Sequence, residues 1–358
     1  MSGTSLRFPA VEALRALASQ LIVLHHIAFY GPMSDVAQSV APDLLAWLSQ
    51  HGRLAVQVFF VLAGFMAARG LAPDGRLRAV QPLHGLVWQR YLRVGLPYLA
   101  MLALSLVAAA LARELIDHDS IPQAPDLFQL AAHVLLLQNL LGVESLSAGV
   151  WYVAIDLQLF ALFAGLLALS RRTGGRHTSA LLVSCLALAS LFYFNRDAMW
   201  DVCALYFFAA YAAGALAWWI GARRDAPSWL LILAIVATLA LMVDFRTRIA
   251  VAAATALLLG FGRYAGWLSR PIRLPGVAFL GRISYALFLV HFPVFLIVNA
   301  AFSRFVPEVP ELHALGMVLT WLISICAASL FHYRLEVPLV AWATRPRAGL
   351  GDLAASRA

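Results

Sequence analysis

The segment 11–30, VEALRALASQLIVLHHIAFY, is long enough to cross a bilayer and carries the ionisable residues Glu12, Arg15, His25 and His26. On an α-helix each residue turns by about 100°, so Arg15 and His26, eleven positions apart, lie within about 20° of one stripe. Their axial separation is about 16 Å, and His25 points about 100° away from His26. Ionisable groups inside a membrane usually face a cavity or a partner. The spacing therefore indicates a functional site on this helix.

Each residue of this stripe also has a simpler interpretation. Arg15 could extend its guanidinium to the membrane surface, and His26 could hydrogen-bond a carbonyl of a neighbouring helix. Because both residues share one stripe, we favour a joint function over two independent structural roles.

Arg90 and Arg93, in VWQRYLRVGLP, precede another apolar segment. Residues three apart on a helix are neighbours on one face, and guanidinium groups suit phosphates. The pair could therefore hold an anionic ligand that arrives from the cytoplasm. Spacing alone favours the simpler alternative, which is the positively charged flank of a spanning helix.

Asp156 lies about two turns into the apolar segment GVWYVAIDLQLF. Membrane topology does not explain a carboxylate at this depth, so Asp156 requires an internal partner. Arg15 and His26 are the candidates.

His291, in GRISYALFLVHFPV, lies seven positions after Ser284. Seven steps fall about 20° short of two helical turns, so the two side chains share one stripe. A single histidine on an apolar face is more often a hydrogen-bonded structural residue than a ligand-binding one.

The composition identifies the class of protein that contains these groups. The chain has 358 residues, of which 62% are hydrophobic and 12% are charged, and its mean hydropathy is +0.82. Because charged residues make up about a quarter of a typical soluble domain, the chain is predicted to be an all-α polytopic membrane protein. Its net charge of +8 does not indicate a nucleic-acid partner, since the arginines are scattered over short loops. The three cysteines show no metal-ligand spacing.

About ten transmembrane helices are predicted from the apolar segments. They lie near 11–30, 54–69, 94–113, 149–170, 178–194, 202–221, 228–244, 249–266, 283–302 and 312–333. With both termini in the cytoplasm, this arrangement places 20 of the 26 arginines in inner segments, as the positive-inside rule requires. The apolar stretch 127–142 is predicted to be interfacial or re-entrant, because counting it as a span would spoil this distribution. We expect one transmembrane domain over 1–345 and a flexible cytoplasmic tail over 346–358.

Taken together, six motifs resemble those of the acyltransferase-3 family of membrane acyltransferases, and the resemblance runs from about residue 7 to residue 340. In chain order they are Arg15 with His26, VFFVLAGFM at 58–66, Arg90 with Arg93, WYVAIDLQLF from Trp151 to Phe160, ISYALFLVHFPV, and RLEVPLV with Glu336 and Pro338. Each motif is weak by itself, but six in the same order form a specific signal. The chain departs from the family where Ala63 replaces a common serine and Asp156 a usual glutamate, which shortens the reach of that carboxylate by one methylene.

The resemblance implies an O-acyltransferase of the bacterial inner membrane that moves an acyl group, typically acetyl, from cytoplasmic acyl-CoA to a carbohydrate hydroxyl. We expect His26 to act as general base and Arg15 to line the passage between the CoA site and His26. Asp156 is expected to orient His26 or to balance the charge of Arg15. Arg90 and Arg93 would hold CoA. The substrate-binding candidates are Trp151, Tyr285 and His291. We expect no permanently bound cofactor and no metal; acyl-CoA, the carbohydrate acceptor and the lipid bilayer are the expected partners.

Three alternatives remain open at this level. A secondary transporter could use the intramembrane arginine, histidine and aspartate as a proton relay, although no inverted repeat is visible. A small secreted metabolite could replace the carbohydrate as acceptor. A non-catalytic sensor or scaffold could retain the same fold. The oligomeric state is not indicated.

Overall fold

The computed structural model describes residues 8–78, 81–174, 177–271, 274 and 276–344. Within these ranges the chain is helical and contains no β-strand. This confirms the prediction of an all-α polytopic membrane protein. The predicted tail, 346–358, lies outside the described residues.

The α-helices are numbered in chain order. They are α1 (Pro9–Phe29), α2 (Met33–Ala37), α3 (Pro42–His51), α4 (Ala55–Leu71), α5 (Leu83–Leu115), α6 (Leu127–Val134), α7 (Val150–Thr173), α8 (Thr178–Phe192), α9 (Ala204–Ile220), α10 (Ala226–Val243), α11 (Thr247–Tyr264), α12 (Val277–Arg282), α13 (Ser284–Phe305), α14 (Pro310–Phe331) and α15 (Val337–Ala343). A π-helical turn, His332–Glu336, joins α14 to α15.

Each of the ten predicted spans falls on one long helix, and seven helical stretches in the described residues are long and apolar enough to cross a membrane. The number of crossings and the side of the termini stay predictions. Among the seven stretches, α13 is the most enclosed, since 67% of an apolar 18-residue segment of this helix is buried. The least enclosed is α10, for which the share is 17%. The helix that carries His291 is therefore at the centre of the bundle, whereas α10 lies at its periphery.

Two glycines bring α4 and α9 into backbone contact. A Cβ atom on Gly64 would lie 1.8 Å from the carbonyl oxygen of Tyr211, and one on Gly214 would lie 1.9 Å from that of Val61. Small residues permit this close approach between membrane helices, whose association depends on packing. The contact gives a physical reason for the glycine of the VFFVLAGFM motif.

Asn299 of α13 fixes the loop that follows α1. Its side-chain oxygen accepts a hydrogen bond from the Met33 N–H at 3.0 Å, and its amide nitrogen donates to the Gly31 carbonyl at 2.7 Å. Asn299 is buried, so both bonds are protected from water. The clamp holds the end of α1 against α13, which brings the histidine-bearing faces of the two helices together.

The stretch 127–142 forms the eight-residue helix α6 followed by turns, and a helix of that length, about 12 Å, is too short to span. The Tyr91 hydroxyl donates to the Val134 carbonyl at 2.7 Å, and the Ser105 hydroxyl donates to Ser147 at 3.3 Å. These two anchors are fourteen positions apart on α5, or about 21 Å. Before the stretch, Arg113 near the end of α5 donates to the Pro122 carbonyl. The chain has therefore reached the beginning of α5 by Val134 and returns along α5 by Ser147, just beyond the stretch, which favours the re-entrant alternative over an interfacial one.

Candidate functional site

Two cavities lie along α1, and we name them outer and inner after the orientation that the positive-inside rule predicts. The outer cavity, about 540 Å³, is lined by Ile22, His25, His26, Phe29, Tyr30, Ser49, Gln50, Arg53, Val56, Gly149, Trp151 and Phe288. The inner cavity, about 1450 Å³, includes Glu12, Arg15, Phe59, Ala63, Arg69, Arg90, Arg93, Tyr152, Asp156, Arg282, Tyr285, Phe288 and Glu336 in its lining. Arg15 and His26 thus line different cavities, and they are not exposed to one shared chamber.

His26 and His291 form a direct hydrogen bond between α1 and α13. The His26 Nδ1 atom lies 2.6 Å from the His291 Nε2 atom. The ring planes differ by 10° and the ring centroids are 4.9 Å apart. Because the two nitrogens are much closer than the centroids, the rings meet edge to edge in nearly one plane. This is the orientation of an in-plane N–H···N bond, in which each nitrogen points at the other.

The partners of His291 determine where the protons of the pair lie. The His291 Nδ1 atom is 3.1 Å from the Leu287 carbonyl, which can only accept, so Nδ1 carries the hydrogen. In a neutral ring the Nε2 atom of His291 must then accept, and the Nδ1–H of His26 donates to it. The remaining nitrogen of His26, Nε2, therefore has a lone pair available. A histidine in this tautomer can remove a proton from a hydroxyl group.

His25 has a different environment from its neighbour. Its Nδ1 atom lies 3.0 Å from the Leu48 carbonyl near the end of α3, and its ring is buried. His25 also lines the outer cavity, although it points away from His291. This contact links α1 to α3. The two adjacent histidines therefore differ in the partner of Nδ1, which is a backbone carbonyl for His25 and a second imidazole for His26.

Asp156 pairs with Arg90 in the inner cavity, which corrects the prediction that its partner is Arg15 or His26. The Nη2 atom of Arg90 donates to Oδ2 of Asp156 at 2.6 Å, and the Arg90 guanidinium also lies 5.3 Å from the Phe160 ring centroid. The prediction failed because the first turns of α5 reach Asp156, and sequence spacing does not show which helices are neighbours. Asp156 consequently has no contact with His26 and cannot orient it.

The inner cavity has more positive than negative groups in its lining. Five arginines and three carboxylates line it; they are Arg15, Arg69, Arg90, Arg93, Arg282, Glu12, Asp156 and Glu336. Glu336 pairs with His332 at 2.8 Å. Within the described residues, Arg15 and Arg93 have no side-chain hydrogen bond and no ion pair. The two guanidiniums can therefore take an anionic ligand without first breaking another contact.

The two aromatic substrate-binding candidates lie in different cavities. The Tyr285 hydroxyl donates to the Val94 carbonyl at 2.7 Å, so it is already occupied at the edge of the inner cavity. Trp151 lines the outer cavity and packs against Phe207, with ring centroids 5.7 Å apart. Trp151 is therefore accessible from the outer cavity, whereas Tyr285 is not.

Several residues of the site were missed by sequence reasoning. The polar residues Ser49, Gln50 and Arg53, at the end of α3 and just beyond it, line the outer cavity, and Phe288 lines both cavities. No spacing rule indicates the first group, because α3 lies between two predicted spans and belongs to neither. The partnership of His26 with His291 had one available signal, which was that both are histidines within apolar segments.

Comparison with known proteins gives one match. A family described as "Acyltransferase domain", Acyl_transf_3, matches residues 8–332. No curated protein and no solved structure matches the chain. The family match covers most of the 358 residues, including the outer cavity, most of the inner-cavity lining and the histidine pair, and it confirms the resemblance drawn from the motifs. The chain therefore belongs to the Acyl_transf_3 family, and it is a membrane acyltransferase.

Proposed function

We propose that this acyltransferase moves an acyl group, typically acetyl, from acyl-CoA to a hydroxyl of a surface or lipid-linked carbohydrate, with His26 as general base. One observation carries the proposal. The Nδ1–H of His26 is held by His291, while its Nε2 lone pair is available in a cavity large enough for part of an acceptor. This arrangement supplies an oriented base of the kind that acyl transfer to a hydroxyl requires.

The reaction uses His26 twice. Nε2 of His26 removes the proton of the acceptor hydroxyl as its oxygen attacks the thioester carbonyl carbon. The tetrahedral intermediate then collapses, the carbon–sulfur bond breaks, and the CoA thiolate takes the proton back from the imidazolium. An ester and free CoA thiol result, and the enzyme returns to its starting tautomer. His291 stabilises the transient positive charge on His26 by accepting its Nδ1–H throughout.

The inner cavity is the proposed site for CoA. Its excess of guanidinium groups suits the phosphates of this polyanion, and Arg15 and Arg93 can contribute without losing existing partners. Arg90 can contribute as well, although one of its nitrogens is engaged by Asp156. Asp156 then acts as a positioning residue that holds the Arg90 side chain in the cavity wall.

The outer cavity is the proposed site for the acceptor. Trp151 offers an aromatic face, and Ser49, Gln50 and Arg53 offer hydrogen-bonding groups. Flat aromatic and polar groups in combination suit a sugar, which has apolar faces and polar edges. On this basis the acceptor is an O-antigen, capsular or exopolysaccharide unit at the outer face of the bacterial inner membrane.

The test uses NMR to compare the surface glycans of the strain that encodes this protein (the producing strain) with those of a strain from which the gene has been deleted. O-acyl signals should disappear on deletion, return with the native gene, and fail to return with His26→Ala expressed at the same level in the membrane. Unchanged glycan signals in the deletion strain would remove the carbohydrate acceptor from the proposal. Restored signals with His26→Ala would remove His26 as the base.

A further inference from the structure

Phe288 of α13 separates the two cavities. It is the single residue found in the lining of both the outer and the inner cavity, within the described part of the chain. It lies one turn before His291 on the same helix, with ring centroids 6.3 Å apart. The Phe288 side chain therefore lies between the inner cavity, which contains Arg15 and Arg93, and the outer cavity, which contains His26.

The ring of Phe288 is enclosed by aromatic neighbours. Its centroid lies 5.1 Å from that of Tyr152 and 6.2 Å from that of Phe59, and both of these residues line the inner cavity. Phe288 is 4% exposed. Edge-on aromatic contacts of this kind hold a ring in place without hydrogen bonds. Phe288 can therefore change rotamer by exchanging one set of packing contacts for another, and no hydrogen bond has to break.

Gly149 provides the space that the ring occupies on its outer side. A Cβ atom at this position would lie 2.9 Å from Cζ of Phe288, and the φ of Gly149 is +83°, a conformation that other residues rarely adopt. Glycine is thus required at the start of α7 for two separate reasons. The ring packs directly on this backbone, which closes the wall between the cavities.

We infer that Phe288 is a movable partition, and that the space it vacates receives the acyl group and limits its size. This inference rests on the proposed function. A thioester held in the inner cavity meets the aromatic wall before it meets the hydroxyl at His26. Transfer then requires the Phe288 ring to turn aside, and the donor carbonyl takes its position. A short acyl group fits that volume, whereas a longer chain competes with the displaced ring for the same space.

The experiment measures donor preference in membrane vesicles from the producing strain, which supply the native acceptor. Release of free CoA thiol is followed with acetyl-CoA and with hexanoyl-CoA, and the rate in vesicles of the deletion strain is subtracted. Phe288→Ala is compared with Phe292→Ala, a matched control that removes the same ring from the same helix. Phe292 packs against Tyr30 and Phe295, and it is absent from both cavity linings.

Phe288→Ala should raise the ratio of hexanoyl to acetyl transfer by at least about tenfold, the discrimination a pocket can exert over even one methylene. Phe292→Ala should leave that ratio at the native value. If Phe288→Ala does not accumulate in the membrane, Phe288→Leu removes the ring with less loss of volume and should move the ratio in the same direction.

Two failures are distinguishable. Absence of any CoA release by the native protein overturns the proposed function itself. Native activity combined with an unchanged donor ratio in the folded Phe288 variant overturns the partition while leaving the proposed function intact. An equal change in the Phe292 variant also overturns it, because loosening of α13 would then account for the effect.

Discussion

The imidazoles of His26 and His291, which are 265 positions apart in the chain, meet nitrogen to nitrogen at 2.6 Å. The Leu287 carbonyl accepts a hydrogen bond from Nδ1 of His291. This contact determines which nitrogen of each of the two rings carries a hydrogen. An oriented base in catalysis is commonly fixed by a second group in this way. In this protein another histidine takes the place that a carboxylate often occupies.

Replacement of His26 by alanine should abolish acyl transfer. General base catalysis contributes about 10²–10⁴-fold, and within the described outer cavity His26 is the histidine whose Nδ1–H is held by a second imidazole, whereas His25 contacts a backbone carbonyl. Initial rates of CoA release measure the effect, and binding of CoA should remain at the native level because the inner cavity is unchanged. His25→Ala is the control, and it should lose about 1 kcal/mol of stability with its Leu48 contact but retain transfer. Comparable rate losses in both variants would contradict the assignment.

Replacement of His291 should act through His26. His291→Ala removes the acceptor of the His26 Nδ1–H bond, so kcat should fall by about tenfold or more while the KM for acyl-CoA stays constant. His291→Gln offers a carbonyl oxygen at similar reach and should recover part of the rate. Steady-state kinetics of the two variants give the measurement. Equal rates in the alanine and glutamine variants would show that His291 only fills space.

Neutralisation of Arg93 should weaken CoA binding. Charge-assisted hydrogen bonds contribute about 1.5–3 kcal/mol, so Arg93→Gln should raise the Kd for CoA by about tenfold to a hundredfold. Isothermal titration of the purified protein measures Kd, and the loss should shrink at high salt because screening already weakens the native contact. Arg224→Gln, an exposed arginine outside both cavity linings, is the control and should bind CoA normally.

The Arg90–Asp156 pair can be tested by a double-mutant cycle. Asp156→Ala leaves a guanidinium with 26% of its side chain exposed and no counter-charge at 2.6 Å, so stability should fall by about 3 kcal/mol. Arg90→Gln combined with Asp156→Ala should be less destabilised than the sum of the single changes. Thermal unfolding in detergent provides the comparison. Additive losses would mean that the pair contributes no coupling energy, and the role of Asp156 as a positioning residue would be withdrawn.

The path of the stretch 127–142 predicts a pattern of solvent access. In a chain whose three native cysteines are replaced, Asp119→Cys should react with a membrane-impermeant maleimide added outside the cell. Val134→Cys should not react, because Val134 lies beside Tyr91 near the other end of α5. Full labelling at both positions would place the stretch at the surface. Protection at Val134 alone supports the re-entrant path.

Much of the fold could be predicted because a bilayer imposes a simple rule on sequence. Backbone groups in lipid must be satisfied within helices, so ten apolar segments could be recognised without knowledge of their neighbours. The stretch 127–142 could be set apart because counting it as a span would have spoiled the distribution of arginines between the two sides of the membrane. The choice between a surface and a re-entrant path depended on contacts with Tyr91 and Ser105, which no local pattern specifies.

The sequence by itself determined the class of protein, the helices, and the kinds of side chain available for chemistry, because hydropathy and helical period are local properties. Only the tertiary structure decided the partners. His26 hydrogen-bonds His291, Asp156 pairs with Arg90, and Phe288 lies between the two cavities. These relationships depend on which helices are adjacent and how each helix is rotated about its axis. Helix adjacency in a membrane is set by packing among similar apolar surfaces, and spacing along one chain carries little information about it.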